Sequence, residues 1–378
     1  MEPSRNSLIA VLCLHITAPN PRFRPSPPDH ESASNRIDSI FSCVAESDAP
    51  GLAVLIRKDG RTAFERGYGI RDLRTRAKID STTNFRLASC TKQFTAMAIM
   101  LLVREHLLTY DTRLTDALPD FPAYGESITI RNLLSHTAGL PDYEDLLPQP
   151  SPNTPPDRQV QISDSGVLAL LKATTTTFKP GKRWAYSNSG YVLLGEIVAR
   201  VSHEPFPQFL HDHIFAPLGM DNTVAYVKGT NEVPSRAYGH SKEDGVWLET
   251  DQGATSATLG DGGVYSSLTD LARWDDALAH HLLLNEKEMQ PALLPVMIPN
   301  GGLVGTNGEP AAYGFGWFLN SYKGHPRMWH YGETVGFRSS IQRFTSDHLT
   351  IAILCNRSDL NPGALGERVA DLLFASEA

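Results

Sequence analysis

The chain of 378 residues is 41% hydrophobic and 20% charged. That is an ordinary globular composition, which excludes a disordered or fibrous protein and provides core for one large domain or two lobes around a cleft. The formal net charge is −8 and no Lys- or Arg-rich stripe is present, which excludes nucleic acid as a partner because that ligand rewards clustered cations.

In chain order, Arg5 precedes a short apolar run, Leu8 to Leu14, the outline of a secretory signal with a poorly formed cleavage region. The run is too short to cross a bilayer and no later segment suffices, so no integral membrane span is expected. A periplasmic or secreted location is expected ahead of a cytoplasmic one. Pro19, Pro21, Pro25, Pro27 and Pro28 make an extended tether, which separates residues 1–35 from a folded body over 36–376. The four cysteines, Cys13, Cys43, Cys90 and Cys355, form no CxxC pair and match neither a zinc nor a disulfide framework. Cys90 reads as a small buried packing residue.

Two β-rich runs, Gly51 to Arg57 and Thr62 to Tyr68, flank Asp59-Gly60, a hairpin signal. Beyond Ser89, the residues Phe94, Met97, Ile99, Met100 and Leu101 leave almost no polar face, which predicts a helix buried in the core. Residues 145–160, rich in Pro, Gln and Asp, read as a loop that walls a cleft. Tyr191, Leu194, Ile197, Val198 and Val201 share one helical face. Ser267 to Asp270 resembles a capping box ahead of the stripe Leu268, Leu271, Trp274 and Leu278. Strands return at 313–320, 328–331, 337–344 and 349–355, and Leu365, Val369, Leu372 and Leu373 form a last helical stripe.

Strands at both ends and helices between them predict an α/β (α+β) fold. It consists of a central antiparallel sheet drawn from both ends of the chain, flanked by terminal helices, with an inserted all-helical lobe. The α/β lobe is expected over about 36–88 and 262–376, and the mostly helical lobe over about 89–261.

Three short motifs carry chemistry. In Ser89-Cys90-Thr91-Lys92 a serine opens a helix, beside unpaired backbone N–H groups that favour negative charge. Lys92 follows on the same helical face, and a lysine buried in an apolar helix loses enough basicity to act as a base. An SxxK is expected by chance roughly once in a chain this long, so the motif alone is weak; its bland reading is a capping serine and an exposed lysine. In Tyr186-Ser187-Asn188 the phenol is useful if Lys92 lowers the cost of its phenolate, the two then sharing one proton. Asn188 offers its amide to Lys92 or to the substrate. In His330-Tyr331-Gly332-Glu333 the glycine allows close approach of a strand edge, so that the Glu333 N–H joins that of Ser89 in an oxyanion hole.

In this order the motifs resemble the serine beta-lactamase and penicillin-binding-protein superfamily, above all the class C beta-lactamase-related esterases, D-aminopeptidases and DD-carboxypeptidases. Residues 128–142, 259–266 and 336–338 add to the likeness, which extends over 36–376. The resemblance implies a beta-lactamase/DD-peptidase-like fold and a serine hydrolase acting on a small ester, amide or peptide substrate. Ser89 is the implied nucleophile, Lys92 and Tyr186 handle its proton, and an acyl-enzyme is released by water. No cofactor and no metal is implied.

Penicillin-cleaving members carry a lysine where this chain has His330, and no class A-type glutamate motif is present. A neutral histidine is a weak counterion for a carboxylate, and Glu333 or Asp142 would favour a cationic substrate. A true beta-lactamase or DD-carboxypeptidase is therefore the less favoured activity. The rival of another class is a non-catalytic binding or scaffold protein, whose signature, loss of Ser89, Lys92 or Tyr186, is absent. His211-Asp212-His213 and His280-His281 read as solvated surface rather than as metal ligands.

Overall fold

The structure, a computed structural model, describes residues 30–44, 48–148, 154, 158–298, 303–304 and 310–377. The expected signal segment, most of the proline tether and Cys13 lie outside the described residues, as does much of the 145–160 loop.

The hairpin signal gives strands β1 (Leu52–Lys58) and β2 (Arg61–Tyr68). Asp59 and Gly60 both take positive φ, 52° and 72°, the pair of left-handed residues that matches a tight turn to the strand twist. Late in the chain come β3 (Leu303–Val304), β4 (Pro310–Tyr313), β5 (Phe318–Tyr322), β6 (His325–Thr334), β7 (Phe337–Phe344) and β8 (Leu349–Cys355). All pair antiparallel in one eight-stranded sheet of order β2-β1-β8-β7-β6-β5-β4-β3. The first and last parts of the chain thus meet at the β1–β8 pair.

Alternation along β1 and β8 sorts the two faces. Leu52, Val54, Ile56, Ile351 and Ile353 pack with Ile37 and Ile40 of helix α1 (His30–Ile40) and with Leu365 and Val369 of the last helix, Pro362–Glu377. Ala53, Leu55, Ala352 and Leu354 face the larger core around α2 (Lys92–Arg104). That helix is buried from Lys92 to Leu102, as the near absence of a polar face predicts.

Between the sheet's two halves lie mainly helices, including α3 (Asn188–Ser202) and α4 (Leu268–Ala279). The segment also carries a small hairpin, His240–Glu243 with Val246–Glu249, and three short strands, Phe85–Arg86, Val224–Ala225 and Val264–Ser266. Two local expectations change. The run 313–320 is divided between β4 and β5, because Gly314 to Trp317 turn there; a Cβ on Gly316 would stand 2.8 Å from Lys92 O, so the turn lies against the start of α2. Ser267 caps α4 by accepting from Asp270 N–H (3.3 Å), but the Asp270 carboxylate accepts from Thr223 Oγ1 and Asn222 N–H instead of completing a capping box.

Candidate active site

Ser89 sits in a 3-10 turn, Ala88–Thr91, that runs into α2. The turn is strained at Ala88, whose φ is +48°, a region that costs an alanine about 1–2 kcal/mol. Tertiary bonds hold it: Leu87 N–H donates to Val264 O (2.9 Å) and Val264 N–H to Thr91 Oγ1 (3.1 Å).

Strand β6 abuts the same turn. A Cβ on Gly332 would lie 2.0 Å from Leu87 O and 2.4 Å from Ser339 Oγ, so only glycine fits. Cys90 is buried, its Sγ donating to His330 O (3.4 Å), and burial pushes its thiol up to about 12.

Lys92 has no exposed surface. Its Nζ donates to Ser89 Oγ (3.1 Å), Asn188 Oδ1 (2.8 Å) and Asp261 O (3.0 Å). Burial lowers it to about 8, against the opposing pull of Asp261, Asp142 and Glu144. Its three protons match three acceptors. When one proton leaves, the freed lone pair can face the one partner among these three that has a proton to give, the Ser89 hydroxyl.

Tyr186 packs at this centre, with Lys92 Nζ 4.9 Å from its ring centroid. The ammonium therefore faces the ring instead of bonding the phenol. The buried Tyr186 hydroxyl completes no hydrogen bond of ordinary geometry. Burial raises it well above its usual value, moderated by the Ser89 hydroxyl beside it.

Asn188 begins α3, and Asp142 caps that helix by accepting its N–H (2.7 Å); the same carboxylate accepts from Glu144 N–H (3.1 Å). Glu333 pairs with Arg338 (2.8 Å). Both acids expected to attract a cationic substrate are thus engaged within the protein. His330 is fully buried. Its Nδ1–H donates to Tyr331 O (2.7 Å) and its Nε2 accepts from Tyr313 (3.1 Å), while burial and then Lys92 hold it down to about 3. From this strand the cavity is lined by Tyr331, Glu333 and Thr334.

Ser89, Tyr186, Asn188 and Glu333 border one cavity of about 190 Å³. Its wall also includes residues that the motifs did not reveal: Glu144, Asp261, Tyr143 and Arg86. Burial, then Asp142 and Asp261, raises Glu144 to about 7, although its outer edge is open, and its Oε1 accepts from Asn188 Nδ2 (3.2 Å). Asp261 accepts from Tyr143 at Oδ2 (3.0 Å).

His136 lies within the family-like stretch 128–142, where no motif gives it a role. It is buried with φ +57°; its carbonyl accepts Ala185 N–H (3.0 Å) and its Nδ1 accepts Ser187 N–H (3.2 Å), bracketing Tyr186. Among the described residues no group of three or more His, Cys, Asp or Glu is placed to hold a metal, and no helix is long and apolar enough to cross a membrane.

The fold around this serine–lysine pair is that of the serine beta-lactamase-related hydrolases. The sequence profile of the family described as Beta-lactamase matches residues 37–376, and the chain belongs to that family. It is 29% identical over 341 residues to Penicillin-binding protein 4* of Bacillus subtilis (strain 168), covering 87% of this chain and 73% of that one. A crystal structure of D-amino acid amidase from Ochrobactrum anthropi SV3 is 25% identical, covers 92% of this chain and 100% of that one, and superposes with a TM-score of 0.75. An octameric penicillin-binding protein homologue from Pyrococcus abyssi, 24% identical, covers 92% of this chain and 78% of its own and shares the fold with a TM-score of 0.75.

Proposed function

We propose that the chain hydrolyses small amides, esters or peptides through an acyl-enzyme on Ser89, and that it prefers acyl groups bearing a free amine. The observation that carries the mechanism is a fully buried Lys92 with Nζ 3.1 Å from Ser89 Oγ and its proton affinity lowered to about 8. Neutral Lys92 takes the serine proton as Oγ attacks the carbonyl carbon. The tetrahedral oxyanion lies against the N–H groups of Ser89 and Glu333, and its collapse breaks the bond to the amine or alcohol, which leaves with the proton returned by Lys92. Water repeats the sequence on the ester and frees the acid. The Tyr186 phenol, too weakly acidic for a resting phenolate, serves as a neutral donor beside Oγ.

The amine preference rests on Glu144 and Asp261 in the cavity wall, with Asp142 and Glu333 already engaged. The likeness to D-amino acid amidase agrees with it. Buried, neutral His330 supplies no cation for the carboxylate of a β-lactam or of a peptide C-terminus, which supports amidase or esterase chemistry ahead of penicillin cleavage.

The test is a panel of amino-acid amides, neutral short-chain esters and a chromogenic cephalosporin on wild type, Ser89→Ala and Glu144→Gln, with fluorophosphonate labelling of Ser89. Hydrolysis and labelling should vanish in Ser89→Ala, and Glu144→Gln should lower the amine-bearing to neutral rate ratio at least tenfold. Unlabelled Ser89 together with no turnover removes the acyl-enzyme reading; an unchanged ratio removes the amine preference alone.

A further inference from the structure

The catalytic cavity is not the largest in the described molecule. A second one, of about 740 Å³, opens between α3, the segment around Pro205 to Phe215 and the strand Val224–Ala225, and shares no residue with the first. Its size is that of small-ligand pockets, which are mainly apolar with a few polar groups. Here the apolar surface comes from Ala199, Phe206, Phe215, Val224 and Leu259, and the polar groups that matter are Asp164 and Glu196.

Among the described residues these two carboxylates have no cationic partner. No Lys or Arg lines the cavity, and neither acid forms an ion pair among the described residues. Of the other polar side chains, His211 and Gln208 are occupied with Asp212, Thr223 with Asp270, and Asn231 with Val227 N–H and Ala225 O, while Thr230 adds a neutral hydroxyl to the lining. Asp164 uses one oxygen, which accepts Leu259 N–H (3.0 Å). Burial raises both acids, Asp164 to about 8 with a further push from Asp261 and Glu196. Neighbouring carboxylates in an apolar surround are costly to ionise without a counter-ion, and a ligand that brings one together with an apolar body relieves both deficits.

We propose that this cavity is an accessory binding site for a small organic ammonium compound, its head on Glu196 and Asp164 and its apolar body against Phe206, Phe215 and Leu259. The site stands independently of the reaction assigned to Ser89. It is nonetheless physically close to that centre. From Leu259 the chain passes through Gly260, whose carbonyl accepts from Thr95 Oγ1 (2.6 Å), to Asp261, whose carbonyl accepts from Lys92 Nζ. An occupant touching Leu259 therefore lies two residues from an atom that holds the catalytic lysine.

Phenethylammonium and its neutral counterpart 2-phenylethanol provide the test, titrated calorimetrically into the full chain. The ammonium should bind saturably and at least tenfold more tightly than the alcohol. Glu196→Gln should weaken the ammonium at this site at least tenfold, whereas Glu144→Gln, which alters only binding in the catalytic cavity, should leave the affinity of the Glu196-dependent site unchanged. Ala199→Leu, which fills the apolar floor and removes no charge, should weaken both compounds and serves if Glu196→Gln does not fold. Absence of saturable binding, equal affinity for the two compounds, or loss in Glu144→Gln with retention in Glu196→Gln would overturn the proposal.

Discussion

Lys92 offers the most direct quantitative test. An exposed lysine, near 10.5, is neutral in fewer than about one molecule in a thousand at pH 7, whereas Lys92 at about 8 is neutral in about one in ten. The difference corresponds to about 3 kcal/mol of burial cost borne by the ammonium. For a neutral ester, kcat/KM should therefore climb about tenfold per pH unit below 7 and level off above about 8.

Asp261→Asn refines the test. It keeps the backbone carbonyl that accepts from Nζ, and an asparagine oxygen can still accept from Tyr143, but it removes the acid that most strongly raises Lys92. Taking away a group that favours the charged form lowers the lysine's proton affinity, so the acid limb should move down by about one pH unit. The rate at pH 7 should consequently rise several-fold, an increase that a merely structural role would not produce. Stopped assays across pH 5–10 with active-site titration measure it. A limb near 10, a flat profile in the wild type, or a limb that stays or moves upward in Asp261→Asn would refute the reasoning.

Asn188→Ala removes an acceptor from a charged donor at 2.8 Å, worth about 1.5–3 kcal/mol; kcat/KM should fall roughly tenfold to a hundredfold, with little change in Tm because Asp142 still caps α3. Gly332→Ala forces the β6 backbone away from Leu87 and Ser339, so a loss of about 1–3 kcal/mol is expected in urea melts, together with loss of Ser89 labelling. His330 is held neutral to about pH 3, whereas in the unfolded chain it takes up a proton below about 6.5. The unfolded state binds more protons as pH falls, so stability is lost on that side. Relative to His330→Gln, the wild type should lose about 2 kcal/mol between pH 6.5 and 5; parallel stability curves would show that the imidazole titrates in the fold.

Periodicity made the architecture legible. β1, β2, β7 and β8 fall where β-rich runs lie between turn residues, and α2 where an apolar run lacks a polar face. The serine, lysine, tyrosine and asparagine stood out because their mutual spacing is local or repeats a known order. The residues around them did not. Asp261 touches Lys92 through a main-chain oxygen, an interaction that no side-chain pattern records. His136 acts by holding the main chain on either side of Tyr186, and Glu144 differs from any surface glutamate only through the tertiary packing that partly buries it. Asp142 and Glu333 read as free acids, because sequence does not disclose that a helix start and Arg338 already engage them.

The histidine at 330 gains its meaning from these same acids. Lys92 depresses His330, and coupling between two titrating sites is reciprocal, so a second cation on β6 would depress Lys92 in turn. With a neutral imidazole bonded between Tyr313 and Tyr331, Asp261, Asp142 and Glu144 act on Lys92 against its burial, which lowers it to about 8. The centre thus sets buried Lys92 among several carboxyl groups, with buried Arg86 on the same cavity wall, and the proposed preference is for an ammonium over a carboxylate. On the proposed mechanism, substrate sign and nucleophile activation are therefore set by the same side chains. Altering the charge at 330 or 261 should move both the pH limb and the preference between amine-bearing and neutral substrates, whereas Asn188→Ala, which changes no charge, should lower the rate and leave that preference where it stands.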